Sequence, residues 1–94
     1  MAYFVVNYHY STDPRLEQVR PAHRAFLAGL VESGLLRASG PLVGVDSPAA
    51  VLIFEAATSQ SVESALADDP FQKESLVERW EVHEWNPVLG VFAS

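Results

Sequence analysis

The chain has 94 residues, the length of a single domain built on one hydrophobic core. An apolar fraction of 49% argues against intrinsic disorder, and the absence of cysteine excludes disulfides and thiolate metal sites. The formal net charge of −6 disfavours nucleic acid and anionic membranes as partners.

The first predicted strand covers residues 2–10, which are rich in β-branched and aromatic side chains. Successive side chains of a strand point to opposite faces, and both faces of this one carry apolar groups. We therefore expect both faces to be covered. The two predicted sets are Phe4, Val6 and Tyr8 on one face and Tyr3, Val5, Asn7 and His9 on the other.

A long amphipathic helix follows, with Thr12 or Asp13 as the predicted N-cap before Pro14 and with Gly34 as a left-handed C-cap. Pro21 lies inside this pattern and either kinks the helix or restarts it. His23 is the one titratable side chain on the inward stripe. The apolar members of the stripe recur at helical spacing: Val19, Phe26, Leu27 and Leu30.

Residues 35–43 and 49–57 predict two strands, and the short turn at 44–48 makes them a hairpin. Gly40-Pro41 interrupts the first of these strands and indicates a bulge or an edge position. The second carries apolar side chains on both faces: Val51 and Ile53 against Leu52 and Phe54.

A second helix is predicted to start at a cap formed by Thr58 or Ser59, with Glu63 completing a capping box. Its inward stripe of Val62, Ala65 and Leu66 reaches Asp69 one turn later, and Pro70 ends the helix. Residues 71–75 predict a turn or short helical loop, 76–86 the last strand, and 88–94 an apolar tail. Trp80 and Trp85 are assigned to the core and to a subunit interface.

The order β-α-β-β-α-β is that of a ferredoxin-like α+β domain over residues 1–94, a four-stranded antiparallel sheet with two helices on one face. Two helices cover only one face, whereas the first and third strands carry apolar groups on both. A large uncovered apolar face is unusual on a monomer. We therefore predict a homodimer that forms an α/β barrel sheet to sheet, with the 88–94 tail across its interface.

His23 and Asp69 are the main candidates for catalysis. A helix histidine is either a core residue with one satisfied nitrogen or a general acid–base group. Asp69 is either the cap of a turn before Pro70 or the carboxylate that orients His23. Because both predicted helices lie on one sheet face, the two side chains could meet at one end of the helical layer.

Other residues are candidates for substrate binding. Ser39 is either a strand serine beside a bulge or a residue that hydrogen-bonds substrate or His23, with the Gly40 backbone open to a ligand. His9, together with Tyr8 or Tyr10, could line a pocket, and Arg20 and Arg24 form either a solvated basic face or an attractor for an anionic substrate. The three histidines lack the spacing of a metal motif, so no metal site is predicted.

The chain resembles the YCII-related domain family of small dimeric α/β-barrel proteins. The resemblance rests on three motifs in the family's order: Arg20-x-x-His23-x-x-Phe26-Leu27, Gly34-x-Leu36-x-x-Ser39-Gly40-Pro41 and Asp69-Pro70-Phe71. In that family a histidine and an aspartate at these positions are proposed as the active-site pair, which implies His23 and Asp69 here. The predicted substrate-binding set is Ser39, Gly40, Pro41, Arg20, His9 and Phe71.

Three functions follow as hypotheses. The first is a cofactor-free acid–base enzyme acting on a small cyclic or aromatic hydroxylated metabolite, in the manner of a lyase, isomerase or dehalogenase. The second is a non-catalytic small-molecule-binding or regulatory module, and the third a haem-binding or cofactor-free oxygenase. No signal peptide and no apolar run of the ~20 residues needed to cross a bilayer are apparent, so a cytoplasmic location is expected.

Overall fold

The structure is a computed structural model that describes residues 1–93. Its elements occur in the predicted order, with one short helix added before the last strand. In chain order they are β1 (Ala2–Tyr10), α1 (Arg15–Ser33), β2 (Leu36–Pro41), β3 (Ala49–Ala56), α2 (Ser59–Ala67), α3 (Pro70–Lys73) and β4 (Val77–Trp85).

The four strands form one antiparallel sheet in the order β2-β3-β1-β4. This confirms the predicted architecture and the predicted hairpin of β2 and β3. The edge position that Gly40-Pro41 indicated for β2 is also confirmed. The irregularity in β2 lies between Leu36 and Ala38 rather than at Gly40. The helix α3 occupies the segment predicted as a turn or short helical loop.

Local capping fixes both ends of α1. The N-cap of α1 is Pro14 rather than Thr12 or Asp13, and the Asp13 carboxylate beside it accepts a hydrogen bond from the backbone N–H of Arg15 at 2.8 Å. The helix continues through Pro21 without a break. It ends at Gly34, whose φ of 86° is the left-handed conformation that glycine adopts without steric cost, and whose N–H donates to the Val31 carbonyl.

Thr58 is the N-cap of α2 and accepts a hydrogen bond from the Ser61 N–H at 3.2 Å. The capping box predicted with Glu63 is wrong, because that carboxylate accepts the Trp80 indole N–H at 3.0 Å instead. The predicted extension of α2 to Asp69 is also wrong. The helix ends at Ala67, and Asp69 is the N-cap of α3.

The helices cover one face of the sheet, which we call the helical face. The core between them is built from alternate residues of the strands and the inward residues of the helices. Its most buried members include Phe4, Val6, Tyr8, Leu36, Leu52, Phe54, Val62, Leu66, Phe71 and Leu76. The other face, here the open face, carries the opposite set: Tyr3, Val5, Asn7 and His9 of β1 with Val51 and Ile53 of β3.

Trp80 departs from its predicted environment, whereas Trp85 does not. Trp80 pairs with Tyr8 and so lies on the helical face, but it remains 42% exposed because β4 is an edge strand. Its assignment to the core is therefore wrong. Trp85 is 37% exposed and lies on the side of β4 that contacts the tail, where its ring meets Phe92 at 6.2 Å.

The C-terminal tail folds back onto its own protomer through Phe92, which also contacts Tyr3 with a centroid distance of 5.5 Å. Val88, Leu89 and Val91 are exposed. Ser94, the last residue of the predicted tail, lies outside the described residues. Within residues 1–93, no helix has both the length and the apolar character needed to cross a membrane.

Candidate functional site

His23 and Asp69 form a buried hydrogen-bonded pair between α1 and the start of α3. His23 Nδ1 lies 2.8 Å from one carboxylate oxygen of Asp69 and 3.0 Å from the other. Asp69 is fully buried and His23 is only 6% exposed. The helix therefore carries the ring inward, and the turn before α3 carries the carboxylate to meet it.

Asp69 is surrounded by donors. The Tyr8 hydroxyl donates to Oδ2 at 2.9 Å, and the Phe71 backbone N–H donates to Oδ1 at 3.0 Å. A carboxylate without its proton only accepts hydrogen bonds, so this set of donors matches it. One side chain of Asp69 thus caps α3 and contacts His23.

The same contacts assign the histidine tautomer. Because Asp69 accepts at Nδ1, the ring proton belongs on Nδ1 and the lone pair on Nε2. The Phe71 ring stacks on the imidazole at 4.0 Å with an interplanar angle of 10°, and the Tyr10 ring meets Phe71 edge to face at 5.4 Å. The ring is thus held on one edge by Asp69 and on one face by Phe71.

Two tyrosines of β1 flank the pair on the helical face. Burial raises the pKa of the Tyr8 hydroxyl well above its ordinary range, and the Asp69 charge raises it further, so Tyr8 remains a donor at neutral pH. Burial likewise raises the pKa of Tyr10 to about 12, with the Asp69 charge adding to the shift and Arg20 opposing it.

A cavity of about 200 Å³ opens beside His23 between α1 and the β2–β3 hairpin. His23 lines the cavity and Asp69 does not, so the imidazole rather than the carboxylate borders this space. Polar groups and apolar side chains share its wall. The lining residues are Tyr10, Arg20, His23, Arg24, Leu27, Ser39, Gly40, Pro41, Ala50 and Leu52.

The predicted site residues divide into two groups. Arg20, Ser39, Gly40 and Pro41 line the cavity with His23. His9 does not, because it lies on the open face, 3.4 Å from Glu81. Its assignment to the substrate site is wrong for this protomer, since neighbouring residues of a strand point to opposite faces.

Phe71 is also misplaced by the sequence analysis. Its ring is fully buried behind the imidazole and is not part of the cavity wall. It therefore holds His23 rather than a ligand. Among residues 1–93, no group of three or more histidine, aspartate or glutamate side chains is arranged to hold a metal ion.

The sequence analysis missed the role of Tyr8. Alternation along β1 already predicted that Tyr8 shares a face of the strand with Phe4 and Val6. What the sequence did not reveal was that this face, rather than that of His9, meets the helices. Tyr8 lies in the core with its hydroxyl on Asp69, 61 residues away in the chain.

Tyr8→Phe is expected to lower the free energy of unfolding by about 1.5–3 kcal/mol, the usual range for a hydrogen bond to a charged group. The variant keeps the ring and removes one donor to a buried carboxylate. Urea denaturation at pH 7 measures the loss. Tyr3→Phe on the open face is the matched control, and an equal loss there would contradict the assignment.

The same variant is expected to change how the unfolding free energy depends on pH in the alkaline range. Tyrosines with raised folded-state pKa values stabilise the protein fully below the unfolded-state value of 10.0, and this contribution is lost as pH rises toward the folded-state values. The unfolding free energy of the unmodified protein therefore falls above about pH 10. Tyr8→Phe makes that fall shallower, because one of the two groups is gone.

The fold and the pair together define a small ferredoxin-like α+β protein with a histidine–aspartate pair at the edge of one cavity. The chain belongs to the YCII-related domain family, whose model matches residues 1–86. This confirms the resemblance in the sequence.

Solved structures extend the comparison. A 5-chloro-2-hydroxyhydroquinone dehydrochlorinase, TftG from Burkholderia phenoliruptrix AC1100, in complex with 2,5-dihydroxybenzoquinone, is 25% identical with a TM-score of 0.70. The match covers 89% of this chain and 93% of that one. No curated protein matches the chain significantly in sequence.

Two more distant neighbours show the fold alone. SnoaB from Streptomyces nogalater, a cofactor-independent oxygenase, is 18% identical with a TM-score of 0.53 and coverage of 97% and 96% of the two chains. A dimeric ferredoxin-like protein of unknown function from Jannaschia sp. CCS1 is 11% identical with a TM-score of 0.52 and coverage of 93% and 100%.

Proposed function

We propose that this protein is a cofactor-independent enzyme in which His23 moves a proton on a small cyclic or aromatic hydroxylated substrate. One observation carries the proposal. A fully buried carboxylate holds Nδ1 of a histidine whose ring lines a cavity of suitable size. An ordinary core histidine has no need of a cavity beside its ring.

Each part of the site has a role in such a reaction. Nε2 takes a proton from a substrate hydroxyl, and the Asp69 carboxylate stabilises the imidazolium that results. Tyr8 and the Phe71 N–H donate hydrogen bonds that keep Asp69 in place. Ser39 and Arg20 lie in the same wall, where they position a substrate oxygen.

The similarity to TftG supports elimination as the reaction class. Dehydrochlorination of a chlorinated hydroxyquinol removes two hydroxyl protons, delivers one proton to the ring carbon that bears chlorine, and expels chloride with the carbon–chlorine electron pair, for a net loss of HCl. The product is a quinone, and no external oxidant is consumed. A general base beside a small cavity supplies what this reaction requires, and TftG was solved with a dihydroxybenzoquinone.

The test is release of chloride from 5-chloro-2-hydroxyhydroquinone by the purified protein, followed together with the quinone absorbance. A wider panel of monocyclic hydroxylated aromatics is monitored for loss of substrate and for hydrogen–deuterium exchange at ring carbons. Turnover or catalysed exchange of any member supports the proposal. Saturable binding with neither change overturns it in favour of the non-catalytic binding module.

We also propose that two copies pair through their open faces, as the apolar groups there require. Val5 and Ile53 are directly opposite each other on that face. Light scattering at micromolar concentration is expected to give twice the protomer mass of 10.3 kDa. Ile53→Glu is expected to give monomers, whereas Val31→Glu on the exposed side of α1 is not. A monomeric unmodified protein would contradict this pairing.

A further inference from the structure

The cavity beside His23 differs in charge from the rest of the chain. The chain has 12 acidic and 6 basic residues, yet the wall of this cavity contains two of the arginines and no aspartate or glutamate among residues 1–93. The local reversal of sign indicates a ligand with negative charge.

Arg20 and Arg24 stand one helical turn apart on α1, so both guanidinium groups belong to the same side of the helix. Arg20 is close enough to the Tyr10 hydroxyl to affect its pKa, which places its charge at the cavity rather than in bulk solvent. On its other side it donates to Glu17 at 3.0 Å. Arg24 forms no ion pair within residues 1–93.

The volume limits the ligand to one ring. A cavity of about 150 Å³ is known to hold benzene, so the 200 Å³ present here accommodates a six-membered ring with one or two small substituents. Leu27, Ala50 and Leu52 provide an apolar wall for the ring. The Ser39 hydroxyl is the remaining neutral polar side chain of the wall apart from Tyr10.

We propose that this cavity binds a monocyclic organic anion, with its acidic oxygens between Arg20 and Arg24 and its ring against Leu27 and Leu52. This inference rests on the proposed function, because it names the substrate class of the same site. Anchoring the charged end at the arginines places the ring beside His23. It also explains why a strongly acidic protein keeps two cations at one opening.

The test is calorimetric titration of the full chain with three probes: sodium benzoate, benzamide and sodium 2-naphthoate. Benzoate and benzamide have the same shape but differ in charge, and naphthoate keeps the charge but adds a ring. Benzoate is expected to bind at least about tenfold more tightly than either of the others, since charge-assisted hydrogen bonds and size exclusion both favour it.

Substitution of each cavity arginine tests whether its positive charge binds the anion. Arg20→Gln and Arg24→Gln are each expected to weaken benzoate binding by about tenfold and to weaken benzamide binding clearly less. Arg15→Gln is the matched control, because it removes the same charge from the same helix outside the cavity. Its benzoate affinity is expected to stay within about twofold of the unmodified protein.

The outcomes separate this inference from the proposed function. If benzamide binds as well as benzoate, or if Arg15→Gln weakens binding as much as Arg20→Gln, the inference is overturned even where turnover is observed. If benzoate binds as expected but no hydroxylated aromatic is turned over, the anion site stands and the proposed enzyme fails.

Discussion

Asp69→Ala is expected to lower the free energy of unfolding by at least about 3 kcal/mol, because three buried donors lose their acceptor and each unsatisfied buried donor costs about 1–3 kcal/mol. The change leaves the imidazole Nδ1–H, the Tyr8 hydroxyl and the Phe71 N–H without their acceptor in a fully buried place. Urea denaturation followed by circular dichroism measures the loss.

Asp68→Ala is the matched control for this prediction. Asp68 is the adjacent residue with the same side chain, but it is exposed at the end of α2. We expect its replacement to change the unfolding free energy by less than about 0.5 kcal/mol, as is usual for surface positions. If Asp68→Ala and Asp69→Ala lowered the unfolding free energy equally, the buried hydrogen bonds of Asp69 would make no specific contribution to stability.

Asp69→Asn separates the chemical role from the structural one. An asparagine amide keeps the shape but presents a donor to a site filled with donors, so the imidazole proton is expected to move to Nε2. Turnover is then expected to fall by about 10⁴-fold, the loss seen when the same change is made in a serine-protease triad. Nitrogen NMR of the imidazole reports the tautomer directly, and an unchanged tautomer would contradict the assignment.

The fold was largely predictable because its signals are local. Residues 2–10 and 49–57 were predicted as strands from their β-branched and aromatic side chains, and their ends coincide with those observed to within one residue. The end of α1 was fixed by Gly34, whose left-handed conformation is a property of the residue itself. These features do not depend on what packs against them.

The site was predictable only in part, because it depends on which sheet face meets the helices. Alternation placed Tyr8 and His9 on opposite faces but gave no reason to choose between them. His9 is the better acid–base group by chemistry, and it lies on the open face. Tyr8 is the one that reaches Asp69, since the covered face is set by the long-range path of the helices.

Trp80 illustrates the same limit at the edge of the sheet. Its position in an alternating strand predicted burial, and its face is indeed the helical one. Yet β4 is the last strand of the sheet, and α2 covers only part of it, so the ring stays exposed and donates to Glu63. Strand order decides burial there, and no residue of β4 encodes that order by itself.

His23→Ala is expected to lower turnover of any substrate found for this protein by about 10²–10⁴-fold, the usual contribution of a positioned acid–base group. The truncation removes the ring from the cavity wall and leaves an imidazole-sized space between Phe71 and Asp69. Added imidazole is therefore expected to restore part of the activity, because Asp69 and Phe71 would hold it in the place of the lost ring.

Recovery of activity on addition of imidazole distinguishes a catalytic role of His23 from a purely structural one. A purely structural histidine would lower stability on truncation, and added imidazole would then raise the melting temperature without restoring a proton-transfer step. His83→Ala, an exposed histidine on β4, is the control and is expected to keep full turnover without any response to imidazole. Turnover by His23→Ala at the rate of the unmodified protein would show that another group carries the proton, and would leave the buried pair a purely structural role.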